Sequence, residues 1–290
     1  MDKLKVMTAT MSDCAGSIMS EWKAKVGEGG GAAEIELSGQ FEELTADVIS
    51  HTAFGASYRE GKRVFLAQRE LLFLAFSTVF NVQIRAFRYL PTQKNLKIWK
   101  LDKEVRGMLT NIIKSRLAEW EQKLREEVVR ECGNEVPTGD VLNKLKLVNM
   151  FLLETLRLYS PLSTIQRKAG LDLEVGGITV PKGTVLTIPI ASIHRDKEVW
   201  GEDAHEFNPL RFENGVTRAA NHPNAFLSFS DGPRSCIGQN FAMIEAKIVI
   251  VMILQRFSFF LSPKYVHAPM DVITLRSKFG LPMVLKSLEM

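Results

Sequence analysis

The sequence predicts a mainly α-helical protein with a small antiparallel β part. Residues 3–159 largely follow the helical period, whereas residues 164–190 alternate between apolar and polar positions around glycine and proline turns. Of the 290 residues, 46% are hydrophobic and 24% are charged, which is an ordinary globular balance. We expect a single domain over residues 1–290.

Charge and cysteine content argue against several classes of protein. The net charge of +4 is small and the basic residues are scattered, so we expect no nucleic-acid partner. The three cysteines, Cys14, Cys132 and Cys236, are far apart and form no Cys-x-x-Cys pair. This spacing argues against a zinc ribbon or a disulfide framework.

Four stretches of the first half follow the helical period: 3–26, 38–57, 63–84 and 93–130. Gly27–Ala33 is the expected loop before the second helix, and Ser38 is its expected N-cap. The fourth stretch far exceeds the usual helix length of roughly 8–20 residues, so we expect a discontinuity near residues 117–120.

The uncharged stretch Leu71–Ile84 is shorter than the ~18 residues that a membrane span needs. It suits either a buried core helix or contact with a membrane surface. No region of the chain has the length and composition of a spanning helix.

The second half begins with a predicted helix over Asp140–Tyr159, which Asp140 caps. The segments that follow differ in character and are, in order, a small antiparallel sheet over 164–190, an irregular meander over 196–225, a helix over Ala242–Leu254 and a terminal hairpin around Gly280–Pro282.

One loop, Phe226–Phe241, concentrates the candidate chemistry around a single thiol. The helix that follows it supplies free N–H groups and a positive dipole end, which stabilise a thiolate. Glycines near a cysteine also let the backbone approach a flat cofactor closely. The alternative is an ordinary buried cysteine. Five residues at fixed spacing favour a ligand thiolate: Phe229, Gly232, Arg234, Cys236 and Gly238.

A second motif, Glu154-Thr-Leu-Arg157, places an acid and a base on one helix face, where they can pair. Glu60/Arg63 and Glu127/Arg130 have the same spacing, but only Glu154/Arg157 precedes the Cys236 loop with Leu-Tyr-Ser-Pro directly after it. Arg211, in the segment Phe-Asn-Pro-Leu-Arg-Phe, would complete a buried structural cluster with this pair.

Taken in this order, the Glu154/Arg157 pair, the 207–212 segment and the Cys236 loop resemble the carboxy-terminal half of cytochrome P450s. Residues 44–55, 89–92 and 191–201 are similar to other segments of that family. Within the family, the chain most resembles the plant clan that oxidises terpenoids and hormones. The resemblance covers nearly all of the chain and implies a P450 fold, although an incomplete one.

The resemblance implies a haem-dependent monooxygenase that holds haem b, an iron protoporphyrin IX. Cys236 would be the axial ligand of the iron, and Phe229 would pack on the same face. Arg234 and Arg167 would bind the haem propionates. For Arg167 the alternative is an ordinary solvent-exposed strand residue.

The resemblance also implies a partner and a substrate class. Electrons would come from NADPH through NADPH-cytochrome P450 reductase, and the substrate would be a lipophilic, terpenoid or hormone-like small molecule. Two segments correspond to substrate contacts, although their apolar residues suit a core equally well: Ser163, Thr164 and Ile165, and Phe279, Gly280 and Leu281. Family members act at the cytosolic face of the endoplasmic reticulum membrane, held by an anchor helix that we expect to be absent from this chain.

The chain departs from the family pattern at one internal point. Residues 1–117 resemble the D to G helices, and residues 118–290 resemble the J helix to the carboxy terminus. The I helix belongs between them, with an Ala-Gly-x-Asp/Glu-Thr stretch whose acid and alcohol relay protons. That stretch is absent from the sequence, so we assign no catalytic residue. Two hypotheses follow: an active monooxygenase, or a catalytically impaired chain that binds haem or competes for the reductase.

Overall fold

The computed structural model describes residues 2–54, 119–271 and 274–288. The predicted 63–84 helix, its 71–84 stretch and residues 117–118 of the discontinuity expected near 117–120 lie outside these residues. The chain divides into two compact units. The first comprises residues 1–145, 244–273 and 277–290, and the second comprises residues 146–243 and 274–276. The expectation of a single domain stays a prediction.

Among the described residues, the amino-terminal part of the first unit contains four helices. They are α1 (Asp2–Glu28), α2 (Leu37–Ile49, continued by a π-helical turn over Ser50–Phe54), α3 (residues 119–132) and α4 (Gly139–Leu142). The helix predicted over 3–26 is confirmed. Its buried face follows the helical period through Met11, Ala15, Met19, Trp22 and Val26.

A three-stranded antiparallel sheet completes the first unit. Its central strand, β9 (Pro282–Ser287), pairs with β1 (Ala32–Glu36) on one side and with β6 (Phe257–Leu261) on the other. The predicted loop over Gly27–Ala33 is therefore wrong at its end, where β1 begins. The predicted terminal hairpin is also wrong, because β9 pairs with β1 and with β6, not with the strand directly before Gly280.

The start of α2 corrects the predicted cap. The helix begins at Leu37, and the Glu36 carboxylate accepts hydrogen bonds from the N–H groups of Ser38 (3.0 Å) and Gly39 (2.9 Å). It also accepts one from Leu281 at 2.6 Å, across the turn between the last two strands. A side chain at Gly280 would meet this carboxylate, since a Cβ there would lie 2.7 Å from Oε1, and its φ of +77° favours glycine.

The second unit is built on helix α5 (Lys146–Leu158). The predicted single helix over Asp140–Tyr159 is wrong, because a turn over residues 143–145 separates α4 from α5. The break escaped the sequence pattern because the buried Leu142, Leu145 and Val148 stay in helical phase across it.

Four short strands and an irregular segment follow α5. The pairs are β2 (Ile165–Lys168) with β5 (Val185–Ile188), and β3 (Leu173–Val175) with β4 (Ile178–Val180). The predicted antiparallel pairing over 164–190 is confirmed, as is the turn at Gly176–Gly177. The short helix α6 (Ile190–Ile193) precedes the meander. The meander contains the short helix α7 (Lys197–Trp200) and 3₁₀ turns at Pro209–Phe212 and Val216–Arg218.

The meander packs on α5 through an apolar core. Met150 and Leu153 of α5 contact a buried set from the meander: Trp200, Ala204, Phe212, Ala219 and Ala225. The chain then passes through the Cys236 loop into α8 (Gln239–Arg256). The boundary between the two units along the chain falls within this helix. Two short strands near the carboxy terminus are β7 (Pro269–Asp271) and β8 (Leu275–Ser277).

The predicted fold class is confirmed: the protein is mainly α-helical with small antiparallel sheets. Across the ranges that the structure describes, no helix combines the length and apolar character needed to cross a membrane.

Replacing Glu36 tests whether its carboxylate stabilises the first unit as the cap of α2. Burial raises the pKa of the Glu36 carboxyl, but hydrogen bonds from Leu281, Gly39 and Ser38 outweigh it and lower the pKa below its usual range. We expect Glu36→Ala to lower the free energy of unfolding by about 1–2 kcal/mol, because three N–H groups lose their acceptor. Urea denaturation measures this loss. The control, Glu28→Ala at the exposed end of α1, should stay within about 0.5 kcal/mol of wild type, and equal losses would contradict the capping role.

Candidate functional site

Hydrogen bonds among its own residues fix the conformation of the Cys236 loop. The Asp231 carboxylate accepts a hydrogen bond from the Gly232 N–H at 2.7 Å and opens a 3₁₀ turn over Gly232–Arg234. The Cys236 N–H then donates to the Phe229 carbonyl at 2.8 Å, which closes the loop. Gly232 has a φ of +71°, which a residue with a side chain would adopt only with strain.

The thiol lies directly before a helix. Helix α8 begins at Gln239, whose N–H donates to the Cys236 carbonyl at 3.3 Å. Cys236 thus lies three residues before the positive end of an 18-residue helix. Gly238 lies close to the sulfur, since a Cβ on it would be 3.7 Å from Sγ.

Exposure separates Cys236 from the other two cysteines. Cys14 and Cys132 are buried, whereas Cys236 is exposed. The alternative of an ordinary buried cysteine is therefore wrong for Cys236, and its thiol is open to a ligand.

The groups that surround the thiol suit an iron porphyrin. Ile237 is fully exposed, with an exposed fraction of 104%, which is unusual for a large apolar side chain. Arg234 is also exposed. A thiolate ligates iron, an apolar side chain contacts a flat ring, and a guanidinium pairs with a carboxylate. These residues fit haem, and Ile237 adds an apolar contact that the sequence analysis did not single out.

Arg167 lies beside this loop. It stands on β2, and its Nη2 donates to the Ser230 Oγ at 2.8 Å, while its Nη1 donates to the Gln166 carbonyl at 3.0 Å. Ser230 has a left-handed φ of 61°, which is uncommon for a residue other than glycine. The structure therefore brings Arg167 to the loop, and its predicted contact with a propionate stays a prediction.

Behind the loop lies a buried ion pair. Arg157 and Glu154 are both fully buried, and their bidentate contact joins Nε to Oε2 at 2.7 Å and Nη2 to Oε1 at 2.8 Å. The remaining guanidinium N–H groups donate to the carbonyls of His194 (2.5 Å), Ala204 (2.7 Å) and Glu206 (3.0 Å). All five donors of the guanidinium are therefore used.

Arg211 joins this cluster at its edge. Its Nε lies 3.8 Å from Glu154 Oε1 and has no hydrogen-bond partner. Its stronger contacts are with Asp203, at 2.8 Å from Nη2 to Oδ2, and with the Trp200 carbonyl at 2.8 Å. The structure thus brings the three predicted cluster residues together, but Asp203 is the main partner of Arg211. In the sequence, the only signal for the contact between Asp203 and Arg211 was their separation of eight residues.

His194 connects the cluster to the loop, and sequence reasoning missed this role. Its Nδ1 donates to the Arg157 carbonyl at 2.9 Å, and its Nε2 accepts the Leu227 N–H at 2.9 Å. The imidazole stacks on Phe226 with ring centroids 5.7 Å apart. These partners require the neutral tautomer with the proton on Nδ1. Its place in the Ala-Ser-Ile-His-Arg-Asp segment was the available signal.

The predicted substrate-contact residues belong to different units of the chain. Ser163, Thr164 and Ile165 belong to the second unit, where the Ser163 carbonyl accepts the Ala191 N–H at 3.0 Å. Phe279, Gly280 and Leu281 belong to the first unit and connect β8 to β9. Substrate contact by either segment stays a prediction.

The buried pair predicts a large effect of a small substitution. Arg157→Lys keeps the charge but supplies three donors instead of five, so it leaves buried carbonyls without a partner. We expect the free energy of unfolding to fall by about 3–5 kcal/mol. Urea denaturation followed by circular dichroism measures the loss. Arg218→Lys, an exposed control in a 3₁₀ turn, should behave like wild type, and a similar loss in both variants would contradict the prediction.

The buried imidazole predicts a pH dependence. Burial lowers the pKa of His194 to about 4, and the Arg157 and Arg195 charges act in the same direction, against the hydrogen bond to the Arg157 carbonyl. Between pH 6.5 and about 4 the unfolded chain takes up a proton that the folded chain does not. We therefore expect the free energy of unfolding to fall by about 3 kcal/mol across this window, through this residue alone.

Comparing slopes isolates the contribution of His194. Free energies of unfolding measured between pH 7 and pH 4 should decline less steeply for His194→Asn than for wild type. The exposed control, His205→Asn, should keep the wild-type slope. Parallel curves for wild type and His194→Asn would show that this imidazole does not titrate as its burial requires.

Comparison with known proteins identifies the family. The family model for cytochrome P450 matches residues 118–282. Cytochrome P450 709B3 of Arabidopsis thaliana is 42% identical to this chain, over 99% of the chain and 68% of the relative. Cytochrome P450 734A1 of the same plant is 36% identical with the same coverage. Secologanin synthase 1 of Catharanthus roseus is 33% identical, over 100% of the chain and 68% of the relative.

These matches confirm the resemblance seen in the sequence, and the matched relatives come from plants. The family implies a haem cofactor, electron supply from a reductase and a lipophilic substrate. With its exposed thiol loop and its buried Glu154/Arg157 pair, this chain belongs to the cytochrome P450 family of monooxygenases.

Proposed function

We propose that this chain binds haem b with Cys236 as the axial iron ligand and oxidises a terpenoid or hormone-like molecule. Electrons come from NADPH through NADPH-cytochrome P450 reductase, at the cytosolic face of the endoplasmic reticulum membrane. The observation that supports this most strongly is the exposed thiol in a closed loop directly before α8. When bound, haem supplies the chemistry that activates dioxygen for insertion of one oxygen atom.

The protein residues hold and orient the cofactor. The Cys236 thiolate binds the iron, and the start of α8 stabilises its charge. Ile237 and Phe229 contribute apolar contact, while Gly232 and Gly238 permit close approach. Arg234 and Arg167 carry the positive charge that pairs with the propionate carboxylates. Glu154, Arg157 and Arg211 have a structural role, because they fix the meander behind the loop.

The family supports the substrate class. Members similar to this chain act on plant secondary metabolites, and one of them is named for the synthesis of secologanin. We propose a terpenoid or hormone-like substrate on the basis of the resemblance to that clan. Ser163, Thr164 and Ile165, together with Phe279, Gly280 and Leu281, are the proposed contacts.

A second candidate function is a catalytically impaired chain that binds haem or competes for the reductase. Two observations favour it. The sequence lacks the Ala-Gly-x-Asp/Glu-Thr stretch that supplies the proton-relaying acid and alcohol. The alignment with cytochrome P450 709B3 extends over 353 positions, more than the 290 residues of this chain, so the relative carries positions without a counterpart here.

The absorption spectrum of the reduced, carbon monoxide-bound protein tests the haem proposal. We expect a Soret band at the position of a thiolate-ligated haem in wild type. The band should be lost in Cys236→Ala and retained in Cys132→Ala, whose thiol is buried. A folded wild-type chain without this band, or a Cys236→Ala variant that keeps it, would refute Cys236 as the ligand.

Turnover then separates the two candidate functions. Substrate-dependent NADPH consumption with added reductase, together with an oxygenated product, supports the active monooxygenase. A thiolate-type spectrum without product formation supports the impaired chain.

A further inference from the structure

A second group of potential metal ligands lies in the first unit, in the part of it that holds α1 and α2. The Cys14 sulfur, an Asp47 carboxylate oxygen and a His51 ring nitrogen all lie within 4.8 Å of one another. The His51 Nε2 is 3.6 Å from the Asp47 Oδ1. Neither the proposed haem site nor the family assignment uses these residues.

Two helices bring these side chains together. Cys14 projects from the middle of α1, which packs on α2. Asp47 lies in the last turn of α2, and His51 follows four residues later, so both side chains lie on one face. His51 belongs to the π-helical turn over Ser50–Phe54.

The spacing of the three atoms is close to that of a tetrahedral zinc site. Zinc binds sulfur at about 2.3 Å and histidine nitrogen or carboxylate oxygen at about 2.0–2.2 Å, which places neighbouring ligand atoms roughly 3.3–3.7 Å apart. The nitrogen and oxygen of His51 and Asp47 already have this separation. Small side-chain rotations bring the sulfur, within 4.8 Å, to the same distance.

We propose that Cys14, Asp47 and His51 bind one Zn²⁺ ion, with water as the fourth ligand. Thiolate, imidazole and carboxylate together suit zinc, whereas magnesium and calcium prefer oxygen ligands alone. Three protein ligands and a water form an open site.

The charges around Cys14 favour a cation. The negative charges of Asp47, Asp13 and Glu245 act on the Cys14 sulfur. The same carboxylates attract a divalent cation. In the absence of an ion the thiol donates a hydrogen bond to Asp47, and metal binding would replace that proton with zinc.

Exposure gives the ion a path to the sulfur. Cys14 is buried, with an exposed fraction of 8%, whereas the His51 and Asp47 side chains are 38% and 34% exposed. An ion arriving from solvent meets the imidazole and the carboxylate first and reaches the sulfur behind them.

Cobalt(II) is the spectroscopic probe for this site, because it takes tetrahedral zinc positions and absorbs through a thiolate-to-metal charge-transfer band. Titration of the full chain with Co²⁺ should produce this band at one equivalent, and added Zn²⁺ should abolish it. Cys14→Ser should lose the band. Cys132→Ser and Cys236→Ser should retain it, because their sulfur atoms do not belong to the group.

His51→Gln is the decisive second variant, because its partly exposed position leaves the fold intact. We expect its affinity for Co²⁺ to fall at least about tenfold, while its unfolding temperature without metal stays at the wild-type value. Zn²⁺ should raise the unfolding temperature of wild type but not that of His51→Gln.

Two results would overturn the proposal. One is a folded wild-type chain that shows no charge-transfer band at saturating Co²⁺. The other is a band of unchanged affinity in His51→Gln or in a folded Cys14→Ser variant. In either case the three side chains are joined only by hydrogen bonds and an ion pair. Because the readout does not involve haem, failure of this site leaves the proposed oxidation chemistry untouched.

Discussion

The second unit depends on one buried charge, the guanidinium of Arg157. Removing a charged group from water costs several kcal/mol, and this cost is offset only when every donor has a partner. Here the Glu154 carboxylate takes two of the five donors and three backbone carbonyls take the others. The meander has little regular structure of its own, so these carbonyls and the Asn208 N–H, which donates to Glu154 at 2.8 Å, fix its path over α5.

The same helix positions the thiol loop through two further contacts. His194, whose carbonyl contacts Arg157, accepts the Leu227 N–H, and the Ser228 Oγ donates to the Leu156 carbonyl at 2.8 Å. The loop therefore begins at hydrogen-bonded residues that pack on the rest of the unit, and it leads to the exposed thiol of Cys236. This order suits the proposed role of Cys236, because a metal ligand must be accessible, yet its position must not depend on flexible side chains.

Local patterns were predictable from the sequence, whereas long-range partners were not. Glu154 and Arg157 lie one helical turn apart, and the Cys236 loop carries its residues at fixed spacing, so both were evident. Strand β1 was missed for two reasons. Its partner β9 lies some 250 residues downstream, and the five residues of β1, which follow glycines, are too few to show the period of a strand. The cap on α2 was assigned to Ser38 because serine is the usual cap, but Glu36 gains a third donor from that same distant strand.

The side chains of the Cys236 loop suit the role of a metal ligand but not that of a proton donor. Around the proposed iron ligand it presents a thiol, an apolar side chain and a guanidinium, and its one carboxylate, Asp231, accepts the Gly232 N–H. None of these groups matches the acid-and-alcohol pair to which the family resemblance assigns the proton relay. The family uses the acid and alcohol of the I helix for that step, and the sequence lacks that stretch. Under the proposed function, thiolate ligation and turnover are therefore separable, because one would depend on residues 226–241 and the other on a proton donor outside them.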